Sequence, residues 1–227
     1  YLGGEEIGSE VGLAGALLDS EPNENHTIYK QAYPGYSIKT FLGSYRESGV
    51  LKSDGSQFWK SIFANLKNNI SGLDQRHLFF IWYQGESDAN AAAASDYLFN
   101  LGLLMDKVTK DLSAQYPKAV LWKVIIQLRK EASTSPQTDW KKIQAQQMGY
   151  VQNGKGDSVM VINELPVAAD GVHLNAEGQL ALGECTQQVT QILKTKTVPL
   201  PLDQRIYRCA IFEKEGVRHG VAINASN

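Results

Sequence analysis

The sequence predicts a three-layer α/β/α fold built on a five-stranded parallel sheet. Two observations lead there. Short apolar runs such as Leu78–Tyr83 and Val120–Ile126 lack the alternating polar face of an antiparallel sheet. Longer stretches with apolar residues at helical spacing separate them, so strands and helices alternate along the chain.

The elements follow in order. Ile7, Val11, Ala14, Leu17 and Leu18 give Ile7–Leu18 a helical stripe. Ile28–Tyr33 reads as a short strand closed by Pro34-Gly35. Phe58, Trp59, Ile62, Phe63, Leu66 and Ile70 mark the next helix. Leu78–Tyr83 is too short for a helix and reads as a strand buried on both faces. A helix capped by Ser95 follows, with Tyr97, Leu98, Leu101, Leu104, Met105, Val108 and Leu112 inward. Val120–Ile126 is a strand, Asp139–Val151 a helix with a polar face, and Ser158–Ile162 a strand. Asn175 caps a last helix that turns Leu182, Cys185, Val189, Ile192 and Leu193 inward. Two prolines in Lys194–Leu202 interrupt the pattern. Beyond them, Arg205–Phe212 and Val217–Ile223 flank Lys214-Glu215-Gly216, either as a β-hairpin or as two strands with separate destinations.

A chain of 227 residues, 43% hydrophobic, can bury a full core, and it reads as a single domain. Residues 1–193 form its core and residues 194–227 an added tail. The net charge of −2 offers no basic excess for nucleic acid. No apolar run reaches the roughly 18 residues of a membrane span. Cys185 reads as a small core residue, and neither Cys185 nor Cys209 has metal-ligand spacing around it. No cofactor is expected.

Two stretches carry the chemistry. Gln84-Gly85-Glu86-Ser87-Asp88 and Asp170-Gly171-Val172-His173 each lie in a loop beyond a strand, where open α/β sheets bind ligands. A carboxylate three residues before a histidine can hold one ring nitrogen and leave the other to take a proton from a hydroxyl nucleophile. A glutamine amide at a strand end can donate to an oxyanion, and Gly85 permits a sharp turn there. Glu86 is placed to accept from nearby backbone or to brace His173. The Gly35 N–H is a second candidate donor. The plainer alternatives are an Asp170 that only shapes its loop beside a solvated His173, a Ser87 or Asp88 that caps a helix, and Pro34-Gly35 as an ordinary turn.

These blocks resemble those of the SGNH hydrolases, whose fold is flavodoxin-like. The nearer likeness is to the sialate O-acetylesterases and carbohydrate esterase family six. Gly8-Ser9-Glu10-Val11-Gly12-Leu13-Ala14 and Tyr33-Pro34-Gly35-Tyr36-Ser37 match further segments, in order, between about Tyr1 and Leu193. The resemblance implies Gly35 and Gln84 as oxyanion donors, Asp170 and His173 as triad members, and Glu86 as a supporting acid. It implies removal of O-acetyl groups from sugars without a metal. An acetylated polysaccharide substrate suggests a secreted or surface setting.

The family's serine lies in a block before the Gly8 segment, which would fall upstream of Tyr1, a residue that is not an initiator Met; processing, truncation or rearrangement there is the expectation. Such a sheet has the usual strand order 2-1-3-4-5, so the absent strand is an inner one whose loss leaves buried backbone groups unpaired. Val221–Asn227 is a strand running into Ser226-Asn227, and joining the ends gives Ser226-Asn227-Tyr1-Leu2-Gly3, which fits the family's Ser-Asn-x-x-Gly. Asn224 and Ala225 stand where the family has Gly-Gln. The expectation is a circular permutation, or a chain cut after its nucleophile. The C-terminal strand then fills the centre of the sheet and Ser226 attacks. Ser9, Ser37 and Ser87 are lesser candidates, and a chain without a nucleophile is the remaining alternative. The alternative function is an inactive carbohydrate-binding or structural module. Tyr33, Tyr36, Tyr45 and Trp82 are candidates to stack on sugar rings in either case.

Overall fold

In a computed structural model, the described residues are 8–70, 77–129, 137–196 and 200–224, except the side chains of Gln137, Leu202 and Lys214. A small hairpin, β1 (Tyr45–Glu47) and β2 (Val50–Lys52), stands apart from the main sheet. That sheet holds β3 (His77–Tyr83), β4 (Val120–Gln127), β5 (Ser158–Val161), β6 (Ile206–Lys214) and β7 (Val217–Asn224), side by side in that order. β3 to β6 run parallel, and β7 runs antiparallel to β6.

The helices are α1 (Ser9–Ser20), α2 (Phe58–Asn69), α3 (Tyr97–Gln115), α4 (Gln137–Gln152) and α5 (Ala176–Lys194). α2, α3 and α4 cover one face of the sheet, packing Trp59, Leu101 and Trp140 in one core with Trp82, Ile125 and Val159. α5 covers the other, where Leu182, Cys185 and Val189 share a second core with Val124, Met160 and Cys209. The three layers are therefore as expected, and the sheet is mixed rather than all parallel.

Several expectations are corrected. The C-terminal strand is not central. Glu215 and Gly216 take φ of 54° and 78°, the left-handed pair of a tight hairpin turn, and fold β7 back along β6. β7 is thus the outermost strand. The side chains of α5 seal its far edge: Gln188 accepts from the Ala222 N–H at 3.0 Å and donates to the Gly220 carbonyl at 2.8 Å, while Glu184 accepts from the Gly220 N–H. Edge backbone occupied in this way cannot template another strand. β3, expected to be buried on both faces, packs Leu78 and Phe80 on one core and Phe79 and Ile81 on the other, and among the described residues it has a sheet neighbour along one edge only. Ile28–Tyr33 joins no described ladder.

α1 also buries differently from its apolar stripe. Val11 and Leu18 are exposed, and Gly12 and Leu17 face inward. The reason is close backbone contact with α5. A methyl group at Gly12 would lie 2.2 Å from the Leu180 carbonyl oxygen, and one at Gly183 would lie 2.2 Å from that of Ser9. The helices meet through absent side chains, a signal invisible to a hydrophobic count. Gly183→Ala should lower the unfolding free energy by about 1–3 kcal/mol, the range for overpacking. Gly102→Ala on α3, where the added methyl meets open space, should raise it by up to about 1 kcal/mol. Urea unfolding of the two variants checks the contrast.

Candidate active site

The parallel strands end together, and three loops leave that end. Gln84–Asp88 follows β3, Leu128-Arg129 follows β4, and Ile162–Asn175 follows β5. The first loop turns at Gly85, with φ of 148°. A methyl group there would approach Ile143 of α4 to 2.7 Å, so glycine is required for conformation and for space.

Asp88 ties this loop to the Tyr33–Ser37 segment. Its side chain is buried, with 1% of the residue exposed. It accepts from the Ser37 hydroxyl at 2.5 Å, the Ile38 N–H at 2.8 Å and the Gln84 amide at 2.6 Å. Burial still raises the Asp88 pKa, against the pull of those donors and of Lys39. Gln84 gives its other amide hydrogen to the Tyr36 carbonyl at 3.0 Å. One expected donor thus lies against the Gly35-Tyr36 turn, where Gly35 has φ of 73°.

A row of polar side chains on α4 fixes the second loop. Gln147, fully buried, accepts from the Leu128 N–H at 2.8 Å and donates to the Gln84 carbonyl at 2.8 Å. Trp140 Nε1 and Gln144 Nε2 donate to the Arg129 carbonyl at 2.7 and 2.5 Å. Arg129 Nη1 in turn donates to the Gly171 carbonyl at 3.1 Å. The three loops are therefore one hydrogen-bonded assembly. Sequence reasoning missed Arg129, Trp140, Gln144 and Gln147, although the polar face of their helix was the available signal.

The third loop closes on itself. Val167 and Leu174 form an antiparallel bridge, and the Ala168 N–H donates to the His173 carbonyl at 2.8 Å. Asn175 then caps α5 by accepting from the Gly178 N–H at 2.9 Å. At the tip, Asp170 Oδ2 lies 2.6 Å from His173 Nδ1. Asp170 Oδ1 accepts from the Val172 and His173 N–H groups at 2.8 and 3.0 Å. Both side chains are open to solvent, 47% for Asp170 and 73% for His173. Glu86, whose pKa burial raises, lies close enough for the imidazole to pull the other way.

Asp170, His173, Glu86, Gln84 and Gly35 thus sit on the loops at one end of the sheet. Ser226 lies outside the described residues. The strand before it, β7, runs antiparallel to β6 and so heads away from the His173 end. The Ser37 hydroxyl is spent on Asp88, and Ser9 begins α1, which packs on α5. No described serine or threonine hydroxyl bonds His173. Tyr45 and Trp82 are core residues rather than sugar platforms. Tyr36 is exposed and stacks on Tyr33 at 5.5 Å.

The hydrogen bond from His173, then that from Val172, lowers the Asp170 pKa from 3.8 to about 2. A depressed carboxyl stabilises the fold above its unfolded pKa and loses that contribution as pH falls through the folded one. The pair's support of its loop should therefore fade between about pH 4 and 2. Carboxyl carbon NMR should give an Asp170 midpoint of about 2, moving up in His173→Ala. A midpoint of 3.8 in the intact protein would contradict the pairing.

A family model described as carbohydrate esterase, sialic acid-specific acetylesterase matches residues 4–191. Among solved structures, the chain is similar to a protein from Arabidopsis thaliana, with 22% identity and a TM-score of 0.57. The match covers 79% of this chain and 66% of that one, slightly under two thirds of its length. At that identity the likeness speaks for the fold. No curated protein matches the chain.

Proposed function

Because the chain belongs to the carbohydrate esterase family of sialic acid-specific acetylesterases, we propose that it removes O-acetyl groups from sugars with His173 as general base. The observation that carries the reading is the 2.6 Å contact between Asp170 Oδ2 and His173 Nδ1. It fixes the tautomer, steadies the imidazolium and leaves Nε2 for proton transfer. A hydroxyl attacks the acetyl carbonyl while Nε2 takes its proton. Nε2 then passes that proton to the departing sugar oxygen, and water releases acetate from the acyl-enzyme.

The Gly35 N–H and the Gln84 amide are the proposed oxyanion donors. Asp88 holds one hydrogen of Gln84 with a charged bond, whereas the neutral Tyr36 carbonyl holds the other. A developing oxyanion is the stronger acceptor and would displace that carbonyl. Glu86 supports His173 electrostatically. The direction of β7 argues against Ser226 as attacking group. The edge of β3 that has no described neighbour, beside the Gln84 loop, is the better place for the hydroxyl.

A second reading keeps the fold without the reaction. It is favoured by the two engaged hydrogens of Gln84 and by the lack of a described hydroxyl on His173. The chain would then bind an acetylated sugar without cleaving it.

Hydrolysis of p-nitrophenyl acetate separates the readings. The esterase reading expects turnover that falls by at least about a thousandfold in His173→Ala. Turnover that is equal in His173→Ala, or absent from the intact protein, would overturn it. Retained sugar binding without turnover would establish the second reading.

A further inference from the structure

We infer that the cleft between β6 and α4 is a saccharide-binding site. The cleft has a volume of about 580 Å³, within the range of small-molecule sites. Met148 of α4, Val161 of β5 and Ile206 of β6 give it an apolar floor. Gln127, Asn163, Glu164 and Arg208 give it a polar rim. The inference rests on the esterase reading for its choice of sugar.

Three features point to a ligand rich in hydroxyl groups. Asn163 Oδ1 is buried without a hydrogen-bond partner among the described residues, an acceptor whose desolvation none of them offsets. Glu164 and Arg208 are exposed, and neither forms an ion pair with a described residue. The rim thus offers a guanidinium donor beside carboxylate and amide acceptors. A ligand of one charge would be repelled by one of the two ions. A sugar, whose hydroxyls both donate and accept, satisfies both, and its C–H face suits the apolar floor.

The place of the cleft relates it to the reaction. Gln127 ends β4 just before Arg129, which holds the Gly171 carbonyl. Asn163 and Glu164 begin the segment that carries Asp170 and His173. A saccharide seated here would be the neighbour of the acetylated unit. One wall, with Ile206 and Arg208, comes from β6, beyond the family match at residue 191. The C-terminal hairpin therefore completes a site whose other residues lie within the family match.

The probe is lactose, a neutral saccharide free of O-acetyl groups, with binding read by titration calorimetry. Lacking an ester, it reports the cleft whether or not the protein hydrolyses acetate. The intact protein should bind it, and Arg208→Ala and Asn163→Ala should each weaken binding about tenfold. Lys118→Ala, exposed at the opposite end of the sheet, should bind as the intact protein does. No binding by the intact protein, or equal binding by both cleft variants, would overturn the inference. Ester hydrolysis is assayed separately. Hydrolysis without cleft binding removes this inference alone, and cleft binding without hydrolysis removes the esterase reading alone.

Discussion

A carboxylate taken out of water must replace its hydration shell, and at Asp88 three donors do so from two segments about 50 residues apart in sequence. The Ser37 hydroxyl and Ile38 N–H come from one loop, and the Gln84 amide from the other. Neither loop has a ladder to hold it there. The shared carboxylate braces the Gly35 turn against the Gln84 loop, alongside the bond from the Gln84 amide to the Tyr36 carbonyl. Burial raises the Asp88 pKa despite these bonds, so the tie carries a solvation cost that the donors only partly offset.

From that tie the order spreads through side-chain amides. Gln147 reaches the Gln84 carbonyl and Leu128 N–H together, and Arg129 passes the constraint to Gly171. The most exposed part of the site, the Asp170–His173 pair, is thus anchored from beneath by half-buried Arg129 and, behind it, by buried Trp140 and Gln147. Such support suits the role proposed for His173: the imidazole stays open while its position is fixed.

Much of this was legible in the sequence, for physical reasons. Helices α2, α3 and α5 and strands β3, β4 and β5 announced themselves through apolar spacing, which burial imposes on any chain. Asn175 as a cap and Asp170 beside His173 were readable because both contacts span only three residues. What failed was non-local. The place of β7 depends on a turn conformation and on Glu184 and Gln188 reaching its far edge. The Ile28–Tyr33 segment has strand-like residues, but a strand needs a partner. Val11 and Leu18 advertised the wrong face of α1 because its contact with α5 runs through glycines. Asp88 looked like a turn residue, since nothing near it in sequence reveals partners 50 positions away.

The Asp88 tie is tested most directly at one amide. Ile38 opens a single-turn 3₁₀ helix, Ile38–Phe41, so its N–H has no partner within that helix. Its bond to Asp88 is 2.8 Å long and buried. Hydrogen exchange followed by NMR should find the Ile38 amide protected to the same degree as the amides of β4. Exchange at the rate of an open loop would show that the carboxylate does not hold the two segments together.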